Sequence, residues 1–75
     1  MNEKIREIMA KAFDVPVEKI NESSSQNTVE NWDSFHHVKL IVFLQRGLNI
    51  HIPDEKVGKM ISYEEIKKVV DECKP

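Results

Sequence analysis

Ile5, Ile8, Met9, Ala12 and Phe13 recur at the i, i+3, i+4, i+7, i+8 spacing of one helical face, while Lys4, Arg6, Glu7 and Lys11 fall off it. The spacing predicts an amphipathic helix. Asn2 can cap its start, and Val15-Pro16 stops it, because a residue before proline is pushed out of the α region. From Asp14 to Asp33 no period holds, and Ser23-Ser24-Ser25-Gln26-Asn27 is loop chemistry. A connection this long inside a small domain is either functional or pinned by its own side chains. Val15, Val17, Ile20, Val29 and Trp32 are the expected pins.

Ser34 to Leu48 has the length of a helix, with Asp33 placed as its N-cap. At about 100° per residue its apolar residues split into two sets. Leu40, Ile41, Leu44 and Leu48 share one face; Phe35, Val38 and Val42 share another, beside Ser34. So small a domain cannot readily bury both, so the first set should pack the core. The Phe35, Val38, Val42 strip is then a contact surface, unless a neighbouring helix covers it. Asn49 can end the helix in the left-handed conformation. Ile50 and Ile52 alternate around His51 as a short extended stretch, and Pro53-Asp54 opens a brief helical turn carrying Val57, Met60 and Ile61, weakened by Gly58. Ser62 with Glu65 forms a capping box, and Tyr63, Ile66, Val69, Val70 and Cys73 trace the buried stripe of a last helix. The expected architecture is an all-α bundle of three main helices and one short third helix, with a long first loop.

Composition narrows the function classes. Seventy-five residues hold one domain, spanning 1–75, with no room for a cleft between lobes. Eleven basic against thirteen acidic residues leave a formal charge of −2, so no global positive field draws in nucleic acid. A small helix-turn-helix reader is disfavoured further because Phe35, Val38 and Val42 would intrude on the groove. No apolar run reaches the roughly 18 residues needed to span a bilayer. Met1-Asn2-Glu3-Lys4 does not start a signal peptide, so a cytoplasmic protein is expected. Cys73, the single thiol, allows no internal disulfide or paired zinc site and reads as a small buried or half-buried hydrophobe.

Catalysis finds little footing in the residues. His36 and His37 are adjacent, so they diverge by about 100° on a helix and cannot share a metal as an i, i+4 pair does. His51 has no acidic or thiol partner at ligand spacing. A triad of Ser34, His37 and Asp33 has the composition for hydrolysis but lacks a glycine-rich nucleophile elbow and an oxyanion hole. No metal site and no catalytic residue is expected. Ser34 remains, at a helix start where unpaired amides favour a phosphate ester on its hydroxyl. A serine there also serves simply as a cap. Local physics leaves the two open.

Asn31-Trp32-Asp33-Ser34-Phe35, then His37-Val38, Leu40-Ile41, and Leu44-Gln45-Arg46-Gly47-Leu48-Asn49-Ile50-His51-Ile52-Pro53 resemble the acyl carrier protein family, whose prosthetic-group motif is an Asp-Ser-Leu at the start of the second helix. The similarity runs through the order of elements over the whole chain, and the Trp-Asp-Ser form resembles small stand-alone carriers of specialised biosynthetic pathways. It implies a four-helix bundle of acyl-carrier type and a 4′-phosphopantetheine arm esterified to Ser34, with Asp33 helping to orient the site and assisting metal binding in the partner complex. Such a protein stores and delivers an acyl or aminoacyl group and catalyses nothing itself. The implied partners are a phosphopantetheinyl transferase, an acyl-loading ligase or acyltransferase, and a downstream synthase or transferase, met by a monomer. Phe35, Val38 and Val42 correspond to partner contacts on the second helix, and Ile52 and Val57 to third-helix positions near the same surface. A carrier fold that is never modified and acts only by protein–protein contact is the alternative.

Departures from that pattern are specific. Phe35 stands for leucine, Asn49 for the usual helix-ending glycine, and Gly47 falls inside the helix. Fatty-acid carriers are acidic along the second helix, whereas His36, His37, Lys39 and Arg46 stand here. Partners that dock through basic patches should therefore recognise it poorly, and a dedicated partner set is expected.

Overall fold

Asn2 opens α1 (Glu3–Phe13) in the computed structural model, which describes residues 2–74. Its side-chain oxygen accepts from the Ile5 amide at 3.1 Å, satisfying one of the donors every helix start leaves unpaired. The predicted stripe is buried and Ala10 joins it. The stop comes one residue before Val15-Pro16. Asp14 turns left-handed at φ 55°, and the amides of Asp14 and Val15 fold back onto the Lys11 and Ala10 carbonyls.

The long loop is pinned as its apolar residues suggest, with Ile20, Val29 and Trp32 buried and Val15 and Val17 half-buried against the same core. It also contains a 3-10 turn, Val17–Lys19, too short to leave a periodic signature. Backbone bonds complete the anchoring. The Tyr63 amide donates to the Ser24 carbonyl at 2.8 Å and the Gln26 amide to the Ile61 carbonyl at 2.9 Å, around an isolated antiparallel bridge between Ser25 and Ser62. Ser24 is buried, with its hydroxyl accepting from the Asn21 amide at 2.8 Å. Arg6 Nε donates to the Ile20 carbonyl at 2.8 Å.

Helix α2 (Ser34–Leu48) buries Leu40, Ile41 and Leu44, half-buries Leu48, and ends with Asn49 at φ 54°. Helix α3 (Asp54–Val57) is a single turn that stops at Val57, so Met60 and Ile61 lie beyond it rather than on it. Met60 is buried and Ile61 is 45% exposed. Helix α4 (Tyr63–Cys73) starts where the Ser62 side chain accepts from the Glu65 amide at 3.1 Å; it buries Tyr63, Ile66, Val69 and Val70 and leaves Cys73 a half-buried free thiol. The Asn2 amide donates to the Tyr63 hydroxyl at 2.6 Å, joining the start of α1 to the start of α4.

The fold is all-α. Among the described residues it has four α-helices and no strand, with one apolar core fed by α1, α2, α4 and the loop. Each large side chain fully buried there contributes about 1.5–3 kcal/mol. Among the described residues no helix is long and apolar enough to cross a membrane.

Candidate functional site at the start of α2

Three consecutive residues with different tasks build the start of α2. Asn31 takes a left-handed φ of 70°, its side-chain amide donating to the Phe13 carbonyl at 3.0 Å and its carbonyl accepting from the Asp33 amide at 2.9 Å. Trp32 then packs on Phe13, with ring centroids 4.5 Å apart. Asp33 caps: its Oδ1 accepts from the His36 amide at 2.9 Å and from His36 Nδ1 at 2.8 Å. The amide bond, then the bond from the ring, hold the Asp33 carboxyl below the usual carboxylate range. Both fall on the same oxygen, so no hydrogen bond among the described residues engages Oδ2.

Because Asp33 does the capping, Ser34 does not. It is the first residue inside the helix, it is exposed, and no hydrogen bond among the described residues engages its hydroxyl. The cap role that the sequence left open for Ser34 thus belongs to Asp33. The amides of Ser34 and Phe35 precede the first bonds to the cap and are the outward donors of this helix end.

His37 lies on the inner side of the site. The indole Nε1–H of Trp32 donates to its Nδ1 at 3.0 Å, and its Nε2 contacts the Val57 carbonyl at 2.8 Å. An indole can only donate and a carbonyl can only accept, so the ring carries its hydrogen on Nε2 and accepts at Nδ1. Both nitrogens are thereby occupied. Neither is left to take a proton from Ser34, and Asp33 bonds His36 rather than His37, so the Ser34, His37, Asp33 triad is not assembled.

A groove of about 490 Å³ runs past Ser34, lined by Gln26, Asp33, Ser34, His37, Val38, Gly58 and Ile61. From Val38 in its wall the second face of α2 continues open: Phe35 is 71% exposed, Val38 61% and Val42 37%. No helix among the described residues covers that strip.

No family model and no curated protein matches the chain.

Ser34, Asp33, Phe35, Val38 and Val42 therefore gather on one exposed end and face of α2. Ile52 does not join them. It is only 2% exposed and its amide donates to Gln45 Oε1 at 2.9 Å, so it is a core residue; the alternation of Ile50 and Ile52 marks an inward side chain, not a partner contact. Val57 is half-buried, and its carbonyl rather than its side chain reaches the site through His37. Sequence reasoning weighed His37 only for a triad, took Trp32 as a loop pin and motif residue, and passed over Ile61 as a site residue. The place of Ile61 just before the capping Ser62 was a usable signal, whereas the His37 contact requires knowing that Val57 lies beside α2.

Proposed function

We propose that this protein is an acyl carrier, with Ser34 as the attachment point of 4′-phosphopantetheine and residues 1–75 as one domain of acyl-carrier type. The observation that carries the reading is the division of labour at the start of α2: Asp33 satisfies the cap, which leaves the neighbouring Ser34 hydroxyl exposed and unengaged beside outward amides. The resemblance of Asp33-Ser34-Phe35 to the carrier motif points to the same atom. The surroundings suit the group: the hydroxyl is accessible to a transferase, and the adjoining groove offers polar Gln26, Asp33 and His37 with apolar Val38 and Ile61 to an arm of mixed polarity. When bound, phosphopantetheine supplies a thiol that holds an acyl or aminoacyl group as a thioester.

The chain's own residues position and present. Asp33 fixes the helix start and keeps Oδ2 available toward a magnesium ion brought by the transferase with coenzyme A. Phe35, Val38 and Val42 offer the apolar surface on which partner enzymes dock. Incubation with a broad-range phosphopantetheinyl transferase and coenzyme A should add one phosphopantetheine by intact mass, and nothing to Ser34→Ala. A wild-type chain that stays bare under conditions where another carrier is loaded would overturn the reading and leave an unmodified interaction module.

A further inference from the structure

Thirteen acidic residues are spread along the chain, yet none falls between Asp33 and Asp54. Lys39 and Arg46 are the lysine and arginine in that interval. On α2 they lie within about 60° of Phe35 and Val42 around the helix axis, so the cations share the exposed apolar face rather than backing it. Arg46 is exposed and forms no ion pair among the described residues. Lys39 Nζ lies 3.3 Å from Asp14 Oδ2 and 5.6 Å from the centre of the Phe43 ring. That pair is solvent-exposed and hence weak, so Lys39 can exchange Asp14 for another carboxylate.

From this juxtaposition we infer that the α2 face docks a protein whose contact surface is apolar at its centre and carries Asp or Glu side chains at its rim. The inference rests on the carrier reading for its purpose, since the partner is then an enzyme that works on the arm at Ser34. Phe35 supplies the aromatic anchor such an interface centres on, with Val38 and Val42 beside it. Lys39 and Arg46 set the sign of the field: they attract an acidic rim and repel the lysine- and arginine-rich surface that an acidic helix would recruit. A second copy docking α2 on α2 would set these cations against each other, and two cations are few for adhesion to an anionic membrane.

Two helical peptides serve as probes, sharing one leucine- and phenylalanine-rich face but flanked by glutamates in one and by lysines in the other. Titrated into the ¹⁵N-labelled protein, the glutamate probe should shift the amides of Phe35, Val38, Lys39, Val42 and Arg46 and bind more weakly as salt is raised. The lysine probe should bind at least roughly tenfold more weakly. Lys39→Glu/Arg46→Glu should reverse that preference, and Arg46→Glu alone, which breaks no ion pair, should move in the same direction with an unchanged circular dichroism spectrum. Equal or absent binding of the two probes, shifts away from α2, self-association through this face in sedimentation, or capture on phosphatidylserine vesicles instead would each overturn the inference. Repeating the titration on Ser34→Ala separates the two ideas, because this readout needs no modified serine and the mass measurement needs no acidic partner.

Discussion

His37 shows how much a single side chain can hold in a fold this small. It sits on α2, accepts from Trp32 of the loop and donates to the last carbonyl of α3, so the loop, α2 and α3 meet on one ring. Its neighbour His36 uses its own ring on Asp33 instead. The sequence shows two adjacent histidines and supports only the statement that they diverge; which one turns inward depends on where Trp32 and Val57 come to lie. Replacing His37 with phenylalanine keeps a ring but strands the Trp32 N–H and loses a bond to the Val57 carbonyl. The Val57 carbonyl keeps the Met60 amide at 3.3 Å, whereas leaving the buried Trp32 donor unpaired costs about 1–3 kcal/mol. Urea unfolding should therefore show His37→Phe destabilised by about 1–3 kcal/mol, with His37→Gln, which can accept and donate, recovering part of the loss. Trp32 is the only tryptophan, so its fluorescence reports the same site directly. An unchanged midpoint for His37→Phe would mean that the ring contributes packing alone.

At the scale of elements, the starts of the helices were legible because each cap is a local signal: Asn2, Asp33 and Ser62 each accept from an amide three residues on. The two faces of α2 were legible for the same reason, since periodicity is local too. What escaped were features that exist only between elements. The Ser25–Ser62 bridge is made by backbone groups, which carry no residue code. Ile52 was assigned outward by resemblance and lies inward, 2% exposed, on a backbone tied by its amide to the side chain of Gln45, seven residues earlier on α2. Gly47, odd inside a helix by propensity alone, is explained by its neighbour. A Cβ at that position would stand 2.9 Å from Cδ1 of Ile8, so the bare backbone lets α1 lie close against α2. Alanine gains about 1 kcal/mol of helix propensity over glycine. Ile8 can yield at its terminal methyl, so Gly47→Ala should leave stability within about 1 kcal/mol of wild type. A larger side chain cannot be accommodated by moving one methyl, and Gly47→Leu should lose about 1–3 kcal/mol in chemical denaturation.

Across the whole molecule, charge is sorted rather than mixed: α2 presents cations, while exposed ion pairs hold α3 to α4 and brace α4 itself. Lys56 meets Glu72 at 2.7 Å and Lys67 meets Asp71 at 3.0 Å. Glu72 raises the Lys56 pKa above the ordinary 10.5, and Asp71 does the same for Lys67. In return Lys56 holds Glu72 below its ordinary 4.5, and Lys67 holds Asp71 below 3.8, as the His36 amide does for Asp33. A carboxyl lowered by folding gives stability that is fully present above its unfolded value and is lost as pH falls through the folded one. An ammonium raised by folding gives stability that is present below 10.5 and is lost as pH climbs through its folded value. Melting temperature should thus hold a plateau and decline on both sides, below pH 4.5 and above pH 10.5. Because every one of these groups is solvent-exposed, both declines should be shallow and should flatten further in high salt. Glu72→Gln separates the causes. It removes the Lys56 share of the alkaline decline and the Glu72 share of the acid one, leaving the Asp33 and Asp71 contributions on the acid side. Thermal melts of the two proteins across this pH range should show the variant with the flatter alkaline limb, and equal alkaline limbs would mean that the Lys56–Glu72 contact contributes nothing to holding α3 against α4.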